Sequence, residues 1–135
     1  MVVKLKGTIP ITIIIAYAPT APDTQENKHV FYKILKEETR KATNRGFLLV
    51  LGDFNAIIQT KLSEDETCIG NFTLDAQNTR LATHTEDVID NRHRLIEYAI
   101  QADAHLMNTR FKKPEKKLIT YKEKKITPVV PHTPE

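Results

Sequence analysis

The stretch Phe47-Leu48-Leu49-Val50-Leu51-Gly52-Asp53-Phe54-Asn55-Ala56 joins an unbroken apolar run to a polar turn. A run this short, closed by glycine, has the length of a strand buried in a sheet. An earlier apolar run, Ile9 to Ala16, stops at Tyr17-Ala18-Pro19, because proline cannot continue a hydrogen-bonded ladder. A helical pattern separates the two. Asp23 followed by Glu26 has capping-box character, and Val30, Phe31, Ile34 and Leu35 form an apolar stripe opposite Lys33, Lys36, Glu37, Arg40 and Lys41. This predicts a helix from about Thr24 to Thr43, with Asn44-Arg45-Gly46 as its break. Strand, helix and strand in that order point to an α/β layer structure in which a crossover helix covers a sheet.

Upstream, Val2 to Leu5 and the turn Lys6-Gly7-Thr8 make a hairpin with the Ile-rich strand. A buried strand needs neighbours on both sides, and the hairpin supplies one. Downstream, Ile57 to Asp90 is polar without a clear period and reads as a long surface segment. Leu95, Tyr98 and Ala99 have helical spacing, which predicts a helix over Asn91 to Gln101 with Asp90 or Asn91 as N-cap. Leu106 to Thr109 and Leu118 to Tyr121 are strand candidates around a lysine-rich turn at Pro114. The division is a domain over residues 1–125 and a proline-rich tail over 126–135 that docks loosely.

With 135 residues, 40% of them apolar and 27% charged, there is room for one domain around one core. A net charge of +3 tolerates a polyanionic partner without requiring one. Cys68 is the sole cysteine, so an internal disulfide and a Cys/His zinc site are excluded, and a reducing intracellular setting fits. The apolar stretch Ile9 to Ala18 is too short to span a bilayer and lacks the flanks of a signal peptide, so no membrane partner is expected. The Asn71-Phe72-Thr73 sequon is read as chance.

The chemistry concentrates after the strands. Ligand sites of open α/β sheets lie at the carboxyl ends of strands, and Asp53 and Asn55 stand there. Two residues apart in extended geometry, they would face one side while Phe54 points into apolar surroundings. A carboxylate can orient or deprotonate a water, and an amide can bond a non-bridging phosphate oxygen without adding charge. The alternative is an Asp-Asn turn that caps the strand and bonds its own backbone. Tyr17 ends the neighbouring strand and would reach the same crevice as a donor to phosphate, unless it is a half-buried tyrosine with its hydroxyl in water.

In order and spacing these residues resemble the endonuclease/exonuclease/phosphatase superfamily, in which a hydrophobic strand ending in Tyr-x-Pro precedes a helix, a second strand and Gly-Asp-x-Asn. Arg94-Leu95-Ile96-Glu97-Tyr98, Asn108-Thr109-Arg110-Phe111, Lys113-Pro114 and Thr120-Tyr121 are similar to LINE-type retrotransposon endonucleases and craniofacial development protein 2-like proteins. The likeness covers roughly Ile9 to Lys125. It implies a partial four-layer α/β sandwich of the DNase I-like kind, two sheets face to face with helices outside. It also implies Mg²⁺-dependent cleavage of DNA phosphodiesters. Asp53 would activate or position the attacking water, Asn55 would contact the scissile phosphate, Tyr17 would support it, and Asn108 would help to shape the substrate site.

The chain departs from the family pattern in ways that matter. An upstream strand with Asn and a metal-binding Glu, a downstream Asp and a Ser-Asp-His-like end have no counterpart here, Thr120-Tyr121 stands where relatives have Thr-Trp, and Leu81 to Asp90 is longer than expected. The expectation is a piece of a nuclease domain that is inactive alone, holds no metal by its own residues and binds DNA weakly, in the nucleus. The rival is a non-catalytic remnant or an interaction module. His84, Glu86, Asp87, Asp90 and His93 have metal-ligand residue types but no recognised spacing, and read as a solvated segment. The lysines from Lys112 to Lys125 either track a phosphate backbone or form a charged edge that discourages aggregation.

Overall fold

The computed structural model describes residues 1–42, 46–73 and 84–114. Strand β1 (Val2–Leu5) pairs antiparallel with β2 (Ile11–Tyr17), helix α1 (Gln25–Ala42) crosses over, and β3 (Phe47–Asp53) returns parallel to β2. The sheet of the described residues has the order β1-β2-β3. Helix α2 (Glu86–Gln101) and a single 3-10 turn, Met107–Thr109, follow. The α/β reading of strand, helix and strand therefore holds. The second strand begins at Ile11 rather than Ile9: Pro10 has no N–H to give a ladder, and its carbonyl accepts the Phe47 amide at 3.0 Å.

Side chains alternate across a strand, so the even-numbered residues of β2 and β3 face the helices. Ile14 of β2 meets Tyr32 and Leu35 of α1 and Leu95 and Tyr98 of α2, with Leu48 and Val50 of β3 against them. Two polar links bind the helices to each other inside this layer. The Thr39 and Tyr98 hydroxyls lie 2.7 Å apart, buried, and the fully buried Lys28 ammonium reaches the Asp90 carboxylate at 3.2 Å. Removing a charged group from water is costly, and the Asp90 carboxylate, to which Arg94 also donates at 3.0 Å, gives the buried Lys28 side chain its polar partner.

Four local expectations change. Helix α1 is capped by Thr24, not Asp23: the Thr24 hydroxyl accepts the Asn27 amide at 3.2 Å, and Asp23 instead accepts the Thr24 amide and the Asn27 side chain. Helix α2 starts at Glu86, a turn and more before Asn91, with Thr85 at its N-cap. Its acidic first turn, Glu86 and Asp87, suits the positive end of the helix dipole. The segment after β3 is not purely surface, since Gln59, Glu66, Cys68 and Ile69 are buried. Cys68 and Ile69 pack on Ile96 and Ala99, and the Glu66 carboxylate takes two bonds of 2.7 Å from the buried Arg92 guanidinium. Finally, Leu106 to Thr109 is no strand. The Thr109 hydroxyl donates to the Leu106 carbonyl at 2.6 Å and accepts the Gly70 amide at 2.7 Å, which closes a turn. The strand expected at Leu118 to Tyr121, the lysines beyond Lys113 and the proline-rich tail lie outside the described residues.

Candidate functional site

Parallel strands finish at the same side of a sheet, and here the register is explicit: Tyr17 and Asp53 are direct neighbours, the last pair of the β2–β3 ladder. The Ala18 amide then donates to the Asp53 carbonyl at 2.8 Å, so the two chain segments leave the sheet together. Gly52 makes this approach possible. Its φ is +148°, and a Cβ there would collide with the Ala16 carbonyl.

Beyond the sheet the chain turns sharply. Asp53 Oδ1 accepts the Asn55 amide at 2.9 Å, and Asn55 takes a left-handed φ of 47°, a conformation its short polar side chain tolerates. The extended arrangement expected for Asp53 and Asn55 is thus replaced by the self-bonded turn. Phe54 does pack toward the core cluster, as expected. The Asn55 side-chain amide donates to the Ala18 carbonyl at 2.7 Å, tying the turn after β3 to the loop after β2.

A second tie comes from α2. Asn91 is buried, and its Nδ2 donates to the Pro19 carbonyl at 3.1 Å and to the Asn55 carbonyl at 3.0 Å. Asn91 was a candidate only for the helix N-cap, and a residue type that common at helix starts carries no sequence signal of this bridging role. The loops that follow Tyr17 and Asp53, the second of which carries Asn55, are therefore clamped by one another and by α2. Tyr17 is 72% exposed and Asp53 is exposed, so both present to solvent at this rim.

Asn108 sits apart in its hydrogen bonding. It is exposed on the 3-10 turn, and among the described residues no hydrogen bond joins it to Tyr17, Asp53 or Asn55. No family model, curated protein or solved structure significantly matches this chain. The resemblance set out above rests on its motifs alone.

The rim can orient a water on Asp53 and present a phenol to an anion, both at the edge of a low-dielectric layer. It does not by itself suit a divalent cation. Mg²⁺ takes six oxygen ligands, and Asp53 is the single carboxylate among Tyr17, Asp53 and Asn55. Among the described residues no three His, Cys, Asp or Glu side chains converge. Of the acidic and histidine cluster near α2, Asp90 is committed to Lys28 and Arg94. Those partners outweigh its burial and hold its pKa below the usual carboxylate value. No helix among the described residues is long and apolar enough to cross a membrane.

Proposed function

We propose that this chain is one part of a metal-dependent phosphodiesterase of the endonuclease/exonuclease/phosphatase kind, similar to retrotransposon DNA endonucleases. Its sheet is one half of a four-layer sandwich. The observation that carries the reading is the Tyr17–Asp53 register, with Asn55 bonded across to Ala18, at the carboxyl rim of parallel strands. There Asp53 positions the attacking water, Tyr17 supports the scissile phosphate, and Asn55 holds the turn and offers its side chain to the phosphate. Asn108 belongs to the outer substrate surface, and Lys112 and Lys113 track the DNA backbone. DNA as substrate makes the nucleus the place of action.

The parent reaction uses Mg²⁺, with most of its ligands supplied from outside the described residues. With Asp53 as the lone carboxylate of the rim set, the chain by itself binds DNA and does not cut it. In a supercoiled-plasmid assay with Mg²⁺, the chain and its Asp53→Ala variant should both leave the plasmid intact. Mg²⁺-dependent nicking that disappears in Asp53→Ala would contradict inactivity. In a duplex titration followed by fluorescence anisotropy, affinity should be weak and should fall steeply with salt, because phosphate contacts release counterions. Binding that ignores salt, or no binding, would count against the nucleic-acid reading. A non-catalytic interaction module is the second reading, and one observation favours it: on the sheet face turned away from the helices, Ile15, Phe47, Leu49 and Leu51 are exposed among the described residues.

A further inference from the structure

We infer that the surface around Phe72 and Phe111 is a stacking site for the bases of an unpaired DNA strand, with Arg110, Lys112 and Lys113 along the strand's backbone. The inference rests on the nucleic-acid part of the function proposed above and adds the form of nucleic acid that the chain takes. Hydrogen bonds bring the two phenylalanines together. The Leu106 amide donates to the Cys68 carbonyl at 3.0 Å and the Phe72 amide to the Thr109 carbonyl at 2.9 Å, so the segment from Cys68 to Phe72 runs beside the 3-10 turn. Phe111 follows Thr109 by two residues, no more than about 7.6 Å of chain. Phe111 is 58% exposed and Phe72 40% exposed, and neither belongs to the core clusters.

The charge around them has one sign. Between Ala104 and Pro114 stand Arg110, Lys112 and Lys113 and no acidic residue. The Arg110 guanidinium donates at 2.9 Å both to the Thr67 carbonyl and to His105 Nδ1, partners that fix its position without cancelling its charge. Among the described residues no carboxylate pairs with Arg110, Lys112 or Lys113. Single exposed phenylalanines are ordinary, but two in one small area beside three uncompensated cations match what a strand with free bases needs. The ring face stacks on a base whatever its identity, and the cations meet the phosphates. A duplex offers its phosphates to the cations but keeps its bases paired and stacked, out of reach of the rings. An anionic membrane is the other polyanion with room for an aromatic ring. Peripheral binding there uses an amphipathic helix or the Trp and Tyr of the interfacial belt, whereas this surface has a three-residue turn and the chain has no Trp.

Fluorescence anisotropy tests the preference with two labelled probes of equal phosphate count, an oligothymidine, which does not pair with itself, and a hairpin duplex. The full chain should bind oligothymidine about tenfold more tightly than the duplex at equal salt. Phe111→Ala should remove most of that preference and leave duplex affinity and the urea midpoint unchanged, whereas Phe111→Tyr should keep it. Lys112→Gln should weaken binding of both probes and flatten the salt dependence by roughly one released counterion. Equal affinity for the two probes, or a preference that survives in both Phe111→Ala and Phe72→Ala, overturns the proposal and leaves the rim reading standing. Oligothymidine binding without duplex binding supports the proposal and removes the duplex from the rim reading. Binding of neither probe overturns both. Co-sedimentation with phosphatidylserine vesicles that is lost in Phe111→Ala would assign the surface to a membrane and overturn the proposal as well.

Discussion

At the scale of single residues, Asn91 and Gly52 carry more of the rim than their types suggest. Asn91 satisfies two loop carbonyls from inside the protein, so Asn91→Ala strands both without a donor. The cost should be about 2 kcal/mol, seen as an earlier midpoint in urea unfolding followed by circular dichroism. An unchanged midpoint would mean that water replaces the amide freely. Gly52→Ala should cost at least about 2 kcal/mol in the same measurement, because its φ of +148° and the nearby Ala16 carbonyl leave no room for a Cβ. Of these two positions, only glycine had a readable meaning in the sequence, as the end of an apolar run. The places of Tyr17 and Asp53 were legible because each ends an apolar strand, and parallel pairing of those strands brings their ends together. The geometry of Asn55 was not legible, since a two-residue spacing fits an extended chain and a self-bonded turn equally well.

At the scale of elements, the hairpin, α1 and β3 could be read because their apolar residues recur with the period of the element they form. The first turn of α2 could not. Asp87, Asp90 and Asn91 resemble a cap or a loop, yet Asp90 is held in the helix by Lys28 and Arg94, partners from tertiary contact and from one turn away. The core role of the segment after β3 was hidden for a related reason. Its buried anchor is the polar Glu66, and its apolar share, Cys68 and Ile69, shows no period. Arg92 is 1% exposed as a side chain, so removing Glu66 leaves a buried cation without its partner. Glu66→Ala should destabilise the protein by about 3 kcal/mol in urea unfolding. Burial alone would raise the Glu66 pKa, but the Arg92 bonds and the Leu62 amide outweigh it and hold the pKa below the usual 4.5. A depressed carboxylate pKa contributes stability above the unfolded value, and that contribution is lost as pH falls through the folded value. The unfolding midpoint should therefore drop on acidification below about the ordinary carboxylate pKa, less so in Glu66→Gln. An equal pH dependence in both proteins would remove Glu66 from the account.

At the scale of the whole molecule, one face of the sheet is packed by two helices, the other carries exposed apolar side chains among the described residues, and the rim of the proposed site lies where the two strands leave the sheet. The central claim concerns the rim, that Tyr17, Asp53 and Asn55 form one surface for a nucleic-acid phosphate. The most direct measurement is backbone amide shift mapping by NMR on titration with a short DNA duplex, repeated at high salt. The account predicts that the amides of Tyr17, Ala18, Asp53 and Asn55 shift together along one binding curve, and that the shifts shrink as salt is raised. Shifts confined to Lys112, Lys113 and their neighbours, with the strand ends unmoved, would contradict it.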